Sequence, residues 1–485
     1  MEMKSRFVSA TCTAALLLLA SSATAQGLLP PTPEGEEHSA DDDPVGRRFV
    51  PAMGLPASPP GVEALMMLPD SEQEQGSLTL ETLLSLAAQH NPTLQQARQH
   101  VNGTLGKALE AGLWPNPTVF YIAEQIFVDS DTNTDTPGEF QGGAIQQEIV
   151  TANKRKLSRE KYLARSRTAE WLAVAQQWKV CNDVRVHFWR ALGHRQIVDV
   201  RKELLKSAED LSVTARERYN LGQATRAELH MSNVTLQQAR LSLLNAENMY
   251  RSDYAILTSL VGLELGTSPL DGDLEGDTEQ LIDFDATVAR YYAESPDVLA
   301  ARAKWQADCI TLERERAEPV PNVFVQVGSG YNFESGEPVA AAQVFFNVPI
   351  WDRNQGTIQQ AEADLARQIA EIRRTELRLR RDLAERYQQY LTALQHVLEF
   401  QAVILPEARQ AYANQLDAYK EDRQNWGEVL SSQREYFTLR ERYIENLISW
   451  RTNEALINGF LLHGGLEAAP NPTPPGHIDS VAQPR

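Results

Sequence analysis

The sequence predicts an internally duplicated, mainly α-helical chain that carries a small membrane β-structure. Three observations lead there. A block around residue 240 recurs about 200 residues later. Helical patterns run much longer than a compact core requires. Each copy of the repeat holds one pair of alternating, strand-like segments.

The duplication comes first. With a shift of 200, Tyr219 falls on Tyr419, Glu228 on Glu428, Leu229 on Val429, Arg240 on Arg440, Tyr250 on Trp450 and Leu257 on Ile457. Upstream, His90-Asn91-Pro92-Thr93-Leu94 matches Glu294-Ser295-Pro296-Asp297-Val298. Trp114-Pro115-Asn116-Pro117 matches Val320-Pro321-Asn322-Val323 after a two-residue slip. A unit of this length far exceeds the repeats of solenoids. It divides the chain into repeats at 77–270 and 271–467. Two such copies tend to take equivalent positions around a symmetry axis.

The flanks read differently. Lys4 and Arg6 precede the apolar run Ala14-Ala15-Leu16-Leu17-Leu18-Leu19-Ala20, and Ala23-Thr24-Ala25 follows. That is a secretory signal peptide over 1–25, cleaved after Ala25. Cys12 lies before the apolar run, which argues against a lipid-modified cysteine. Residues 26–76 are rich in Pro, Gly, Ser and acids, with Pro30-Pro31 and Pro59-Pro60. Such a composition buries too little apolar surface to offset its ordering entropy, so it predicts a disordered linker. The tail 468–485, with Pro470, Pro472, Pro474 and Pro475, reads the same way.

Composition then removes whole classes. Beyond the signal no stretch approaches 18 consecutive apolar residues, which excludes an inner-membrane helical protein. A β-barrel remains open, because its strands are short and only half apolar. Cys181 and Cys309 are the only mature cysteines, so no disulfide framework holds the fold. A net charge of −19 argues against nucleic acid or anionic lipid as the main partner.

Long helices fill most of the remainder. Residues 78–112 open with Thr79-x-x-Thr82 and an apolar period through Leu80, Leu83, Leu84, Ala87 and Ala88, interrupted at Asn91-Pro92. Residues 151–219 contain no proline and one glycine. Within them Trp171, Val174, Trp178, Cys181, Arg185, Phe188 and Leu192 alternate steps of three and four, a heptad-like seam. Such a helix reaches on the order of 100 Å at about 1.5 Å per residue. The second repeat carries a counterpart over 356–420, where Pro406 should kink or break the helix.

The strand-like pairs are 118–128 with 140–150, and 322–333 with 340–350. The second pair alternates well: Val323, Val325 and Val327 in one segment, Val344, Phe346, Val348 and Ile350 in the other. Alternating segments of this length with polar turns meet the requirement for membrane barrel strands. Four strands cannot close a barrel, and an open edge in lipid leaves backbone groups unpaired at several kcal/mol each. The chain must therefore oligomerise. Two copies would supply eight strands and three would supply twelve, and physics alone does not choose.

An enzyme finds no support. His187 and His194 lie seven residues apart on one helix, not the four that lets two histidines share a metal. No nucleophile elbow, P-loop or Cys-x-x-Cys is present. No catalytic, cofactor or metal residues are assigned.

Several motifs carry a family resemblance. Val348-Pro349-Ile350-Trp351-Asp352-Arg353-Asn354-Gln355-Gly356 is similar to the strand-to-helix turn of TolC-family outer-membrane efflux channels. Leu80-Glu81-x-x-Leu84 with Ala87 and Asn91-Pro92 resembles the opening helix of that family. Arg218-Tyr219-x-x-Gly222, and Leu405-Pro406-x-Ala408 followed by Tyr419, also match. Asn153-Lys154-Arg155 resembles the first Gly-Lys-Arg turn, with Asn where Gly is usual; Asn tolerates left-handed backbone angles. Asp422 stands where the second tip usually has Gly, a stronger departure. The branch most resembled is the outer-membrane component of cobalt–zinc–cadmium-type cation and drug efflux.

The resemblance implies a homotrimer. Its four strands per chain would form one twelve-stranded barrel in the outer membrane, continued by an α-helical tunnel through the periplasm. It implies a periplasmic membrane-fusion adaptor, an inner-membrane pump of the RND, proton-driven type, and no cofactor. A protein-exporting (type I) channel and a secreted coiled-coil adaptor are the competing readings. Arg218, Tyr219, Gly222, Tyr419 and Asp422 become the expected adaptor-docking tips. Glu428 matches an acidic lumen position of the family, with Glu228 secondary, and Arg423 and Arg226 are nearby counter-charges. The plain alternative for both glutamates is a solvated helix position. Asn153, Lys154, Arg155, Pro349, Asp352, Arg353 and Gly356 are expected to be structural joints, with Asp352 or Asn354 capping the helix that follows.

Overall fold

The computed structural model describes residues 77–125, 138–266, 268–276, 281–421, 423, 426–473 and 477–478. The signal peptide, the 26–76 linker and Asp422 lie outside the described residues. The element order runs through the same sequence twice. The first pass is β1 (Leu78–Thr79), α1 (Leu80–His90), α2 (Pro92–Gly112), β2 (Thr118–Glu124), β3 (Phe140–Ile149), α3 (Lys154–Asn220) and α4 (Arg226–Val261). The second is β4 (Leu270–Asp271), α5 (Phe284–Glu294), α6 (Pro296–Ala317), β5 (Val323–Asn332), β6 (Glu337–Phe346), α7 (Gln355–Glu399), α8 (Leu405–Lys420) and α9 (Trp426–Asn458). Strands β1 and β4 pair in parallel, which joins the starts of the two passes.

Local chemistry sets the helix boundaries. The Thr79 hydroxyl accepts from the Thr82 N–H at 3.3 Å and caps α1. Asn91 ends that helix and opens the next. Its side-chain oxygen accepts from the Thr93 N–H at 2.9 Å, while its Nδ2 donates to the Leu260 carbonyl at 2.7 Å. Pro92 takes the first helical position, where no N–H is needed. The chain crossing this corner comes so close that a Cβ on Gly262 (φ +78°) would sit 2.9 Å from the His90 carbonyl oxygen. Only glycine fits there.

The 67-residue helix α3 is the pillar of the molecule. It packs against α2, α4, α6 and α9. The predicted seam is buried where it meets them, at Trp178, Cys181, Phe188 and Leu192. Leu257, Trp450 and Ile457, all positions of the repeat, enter the same core, and Trp178 meets Phe460 edge-on with ring centroids 5.1 Å apart. Arg240 and Arg440, equivalent in the two copies, reach Glu209 and Glu203 on α3.

Pro406 acts as its chemistry requires. Having no N–H, it cannot continue the i→i−4 ladder. The helix widens into a π turn at Phe400–Ile404, where the Leu405 N–H bonds the Phe400 carbonyl, and α8 resumes beyond. Position 206 of the first copy is Lys, and α3 runs through it unbroken. Among the described residues no helix is long and apolar enough to cross a membrane.

The four long strands form one antiparallel sheet in the order β2-β3-β5-β6. The register differs from the sequence expectation at its last strand. β6 runs Glu337–Phe346, so the hairpin is tighter than predicted, with Asn332 facing Glu337. Val348 and Ile350 leave the ladder, and the Ile350 N–H turns back onto the Val348 carbonyl at 2.9 Å. Cross-strand partners share a face. One face carries Val119, Tyr121, Ile145, Ile149, Val323, Val325, Val327, Val344 and Phe346 with Gln141 and Gln147; the other carries Gln146, Glu148, Gln326, Gln343, Asn332 and Glu337 among Ile122, Val339, aromatic and small residues. Val119, Tyr121, Val344 and Phe346 are more than half exposed on the apolar face. β2 and β6 are the edges.

The tail departs from its expected disorder where it is described. Ala469 packs with Ala97, Val101, Ala169 and Ala173. His477 Nε2 lies 3.0 Å from Asp308 Oδ1, the oxygen that Arg165 also meets at 2.6 Å. The Ile478 N–H donates to Asp364 at 3.2 Å. A buried ion pair such as Arg165–Asp308 is stable only with further hydrogen bonds around it, and the tail brings one of them.

Candidate functional site

The candidate site has two parts: the helical tips, and the joints where the sheet meets the long helices. Helix α3 ends in a two-bond turn. The Gln223 N–H reaches the Arg218 carbonyl at 2.8 Å and the Gly222 N–H reaches Tyr219 at 3.0 Å, with Gly222 left-handed at φ +75°. This is a Schellman motif, and glycine supplies its left-handed residue without strain. The second tip makes the equivalent long bond, from the Arg423 N–H to the Ala418 carbonyl at 2.9 Å.

The two tips pack on each other. Tyr419 is buried against Leu211, Ala215, Val429 and Leu430, with Tyr412 and Leu416 alongside. The Arg218 guanidinium lies 4.7 Å above the Tyr419 ring. Gln433 donates to the Ser207 hydroxyl at 2.7 Å. Tyr419, expected at a docking surface, is instead an internal strut. Its aromatic ring is covered by residues of the neighbouring tip. Tyr219 and Leu221 are exposed.

The two glutamates expected at the gate are not equivalent. Glu228 is the third residue of α4 and closes a capping box: its carboxylate accepts from the Thr225 N–H at 3.0 Å, and its own N–H donates to the Thr225 hydroxyl at 3.2 Å. That bond commits it to the helix end. Glu428, in the first turn of α9, is exposed. Arg423 pairs with Glu421, and Arg226 is exposed at the start of α4.

At the joints, Asn153 (φ 55°) and Asn354 (φ 61°) both take left-handed backbone immediately before a long helix. Neither caps it through its side chain. The expected capping by Asp352 or Asn354 is corrected here. Asp352 accepts from the Asn354 N–H at 2.9 Å, and Asn354 donates to the backbone and carboxylate oxygens of Glu315, each at 2.9 Å. A left-handed residue aims its side chain away from the helix N–H groups, so these bonds fix the joint to α6 instead. Lys154 is buried, donating to Asn322 at 2.9 Å, with Glu318 at 3.9 Å. Burial pushes its pKa down, and Glu318 partly offsets this. Asn322 in turn donates to Glu148 at 2.6 Å. Arg155 lies 3.9 Å over the Trp114 ring. Arg353 is exposed, with its N–H on Gln355; Gly356 meets open space, and Pro349 lies in the loop after β6.

One grouping escaped sequence reasoning. Asp253 of α4 lies between His187, at 3.5 Å, and His194, which contacts it more closely. Their spacing of seven on α3 is two turns, which puts both on one face; the partner on another helix had no local signal. Among the described residues no group of three His, Cys, Asp or Glu is arranged to hold a metal ion.

Comparison with known proteins bears on this geometry. Residues 83–263, from α1 through α4, match the family of outer membrane efflux proteins. The chain is 26% identical over 400 residues to the cobalt-zinc-cadmium resistance protein CzcC of Cupriavidus metallidurans, covering 81% of this chain and 92% of that one. Among solved structures it is similar to CusC, with TM-score 0.68 and 15% identity, over 86% of this chain and 100% of the other. The outer membrane protein VceC of Vibrio cholerae gives TM-score 0.64 and 16% identity, over 79% and 96%. These structures share the fold.

Two outcomes follow. Replacing Glu228 with Ala removes one of the two bonds of the capping box at a cost of about 0.5–1 kcal/mol, seen as roughly two- to fivefold faster amide exchange in the first turn of α4 with the fold intact. The second concerns pH. Burial opposes ionisation of Asp253, but hydrogen bonds and charge from His187 and His194 outweigh it and hold its pKa below the usual carboxylate range. A depressed carboxylate contributes stability above its unfolded pKa of about 4 and loses it as pH falls further. Thermal melts should show Asp253→Asn less stable at pH 6, with the gap closing towards pH 3.

Proposed function

We propose that this chain is an outer-membrane efflux channel, the passive exit duct of a tripartite system, spanning the outer membrane and extending into the periplasm. It would receive metal ions or small toxic compounds from an inner-membrane pump of the RND type through a periplasmic adaptor. The observation that carries this reading is the sheet. It has one exposed apolar face, two open edges, and helices on the order of 100 Å attached at one end. An apolar face of this kind suits lipid, and a secreted coiled-coil adaptor has no use for it. Lipid leaves no water for the edges, so β6 of one copy must pair with β2 of the next. Three copies give twelve strands around a channel, the arrangement we favour from the family resemblance. In this reading 77–270 and 271–467 are the two repeats, and their tips form the periplasmic mouth. Metal cargo is suggested by the name of the CzcC relative.

At that mouth Glu428 is the charged ring, because it is exposed while Glu228 is held in its capping box. Arg218, Tyr219, Gly222 and the turn around Asp422 supply the adaptor surface, with Tyr419 beneath them.

Light scattering of the detergent-purified protein should give a trimer mass; a monomer that keeps its strand content would overturn the assembly. In bilayer recordings, Glu428→Gln should lower cation preference and weaken block by multivalent cations, because a ring of carboxylates favours cations. Unchanged selectivity and block in a correctly assembled variant would return Glu428 to a solvated helix position.

A further inference from the structure

Beside the first joint lies a cavity of about 480 Å3, lined by Gly112, Trp114, Val150, Arg155, Lys156 and Arg159, with Ala152 and Asn153. Three of its residues are cationic and none is acidic. That is unexpected in a chain of net charge −19. Among the described residues neither Arg155 nor Arg159 has a carboxylate partner, and Lys156 has only a long contact of 3.9 Å to Glu160. The first turn of α3 contains no acid, although the helix dipole favours anions at that end. The cations are also held in place. The Arg155 guanidinium lies 3.9 Å over the Trp114 ring, and the stem of Arg159 lies where a Cβ on Gly112 would come within 3.1 Å.

The position matters as much as the charge. Val150 lines the cavity and directly follows Ile149, which ends the apolar face of β3. Trp114, half exposed, precedes β2. The cavity therefore sits where the apolar band of the sheet gives way to helix. In a membrane barrel this level is the headgroup layer, where aromatic side chains gather. Arginine forks match phosphate oxygens bidentately, and lysine adds a point charge.

We infer that this cavity binds a phosphate group, supplied by a phospholipid headgroup at the periplasmic boundary of the barrel. The inference rests on the outer-membrane reading. It gives each chain one lipid clamp beside its open β2 edge. A low overall attraction to anionic lipid, expected from the net charge, is compatible with a single local site of opposite sign.

The test uses the full-length protein in its assembled form in detergent. Phosphatidylglycerol and inorganic phosphate are titrated separately, and bound adducts are read by native mass spectrometry. The expected result is about one tightly held phosphatidylglycerol per chain, weakened roughly tenfold in Arg155→Gln/Arg159→Gln. Lys156→Gln, at an exposed side chain, should weaken it about threefold; it decides the matter if the double variant fails to assemble. Inorganic phosphate bound with the same dependence on these cations, and no preference for the lipid, keeps the phosphate site and makes free phosphate its source. Equal binding of both probes by wild type and variants overturns the inference. The same preparations are reconstituted for conductance. A conducting protein without the lipid preference sinks this inference alone, whereas one that fails to insert sinks the membrane reading.

Discussion

A β-sheet in lipid has to pair every backbone N–H and C=O, because no water is present to take them. Most of this structure can be understood from that requirement. The sheet of β2, β3, β5 and β6 satisfies its interior strands and leaves one side of β2 and one side of β6 open. An edge of that kind on a water-soluble domain would invite aggregation. In the proposed membrane setting, with one exposed apolar face, it is the element through which copies would join. The proposed association of copies follows from the chain's inability to close its own barrel, the number three comes from the family resemblance, and the duplication supplies two hairpins per chain to share that task.

The joints transmit order from the sheet to the helices. Asn153 and Asn354 redirect the chain through left-handed backbone, and the side chains around them bond across repeats at the first joint and within the second repeat at the other. Lys154 reaches Asn322, Asn322 reaches Glu148, and Asn354 reaches Glu315. Each of these partners is buried or half-buried, so the bonds are worth more than surface contacts and costly to leave unmade. They fix where α3 and α7 start. Over helices this long, a small error in the starting direction would become a large displacement at the tips. At the far end the tips pack on each other through Tyr419, with Arg218 over its ring.

Much of this was legible in the sequence because it is local. The 67 residues of α3 lack any breaker, and Pro406 cannot donate a ladder bond, so the long helix and the π turn follow from chemistry along the chain. Strand alternation located all four strands. It missed the end of β6 because Val348 and Ile350 keep the period of two after the ladder has stopped. Periodicity describes side chains, and a strand ends where its backbone partners end.

The sequence by itself determined the duplication, the helix lengths, the existence of four strands and the family resemblance. Each is written in spacing or in residue type. Only the tertiary structure decided which partners those residues find. It set Asp253 between two histidines of another helix, laid His477 against the Arg165–Asp308 pair, and turned Tyr419 inward. It also drew Asp352 and Asn354 away from the helix end they were expected to cap. Those outcomes depend on contacts between residues tens to hundreds of positions apart, where burial and geometry choose among several chemically acceptable partners and no local pattern records the choice.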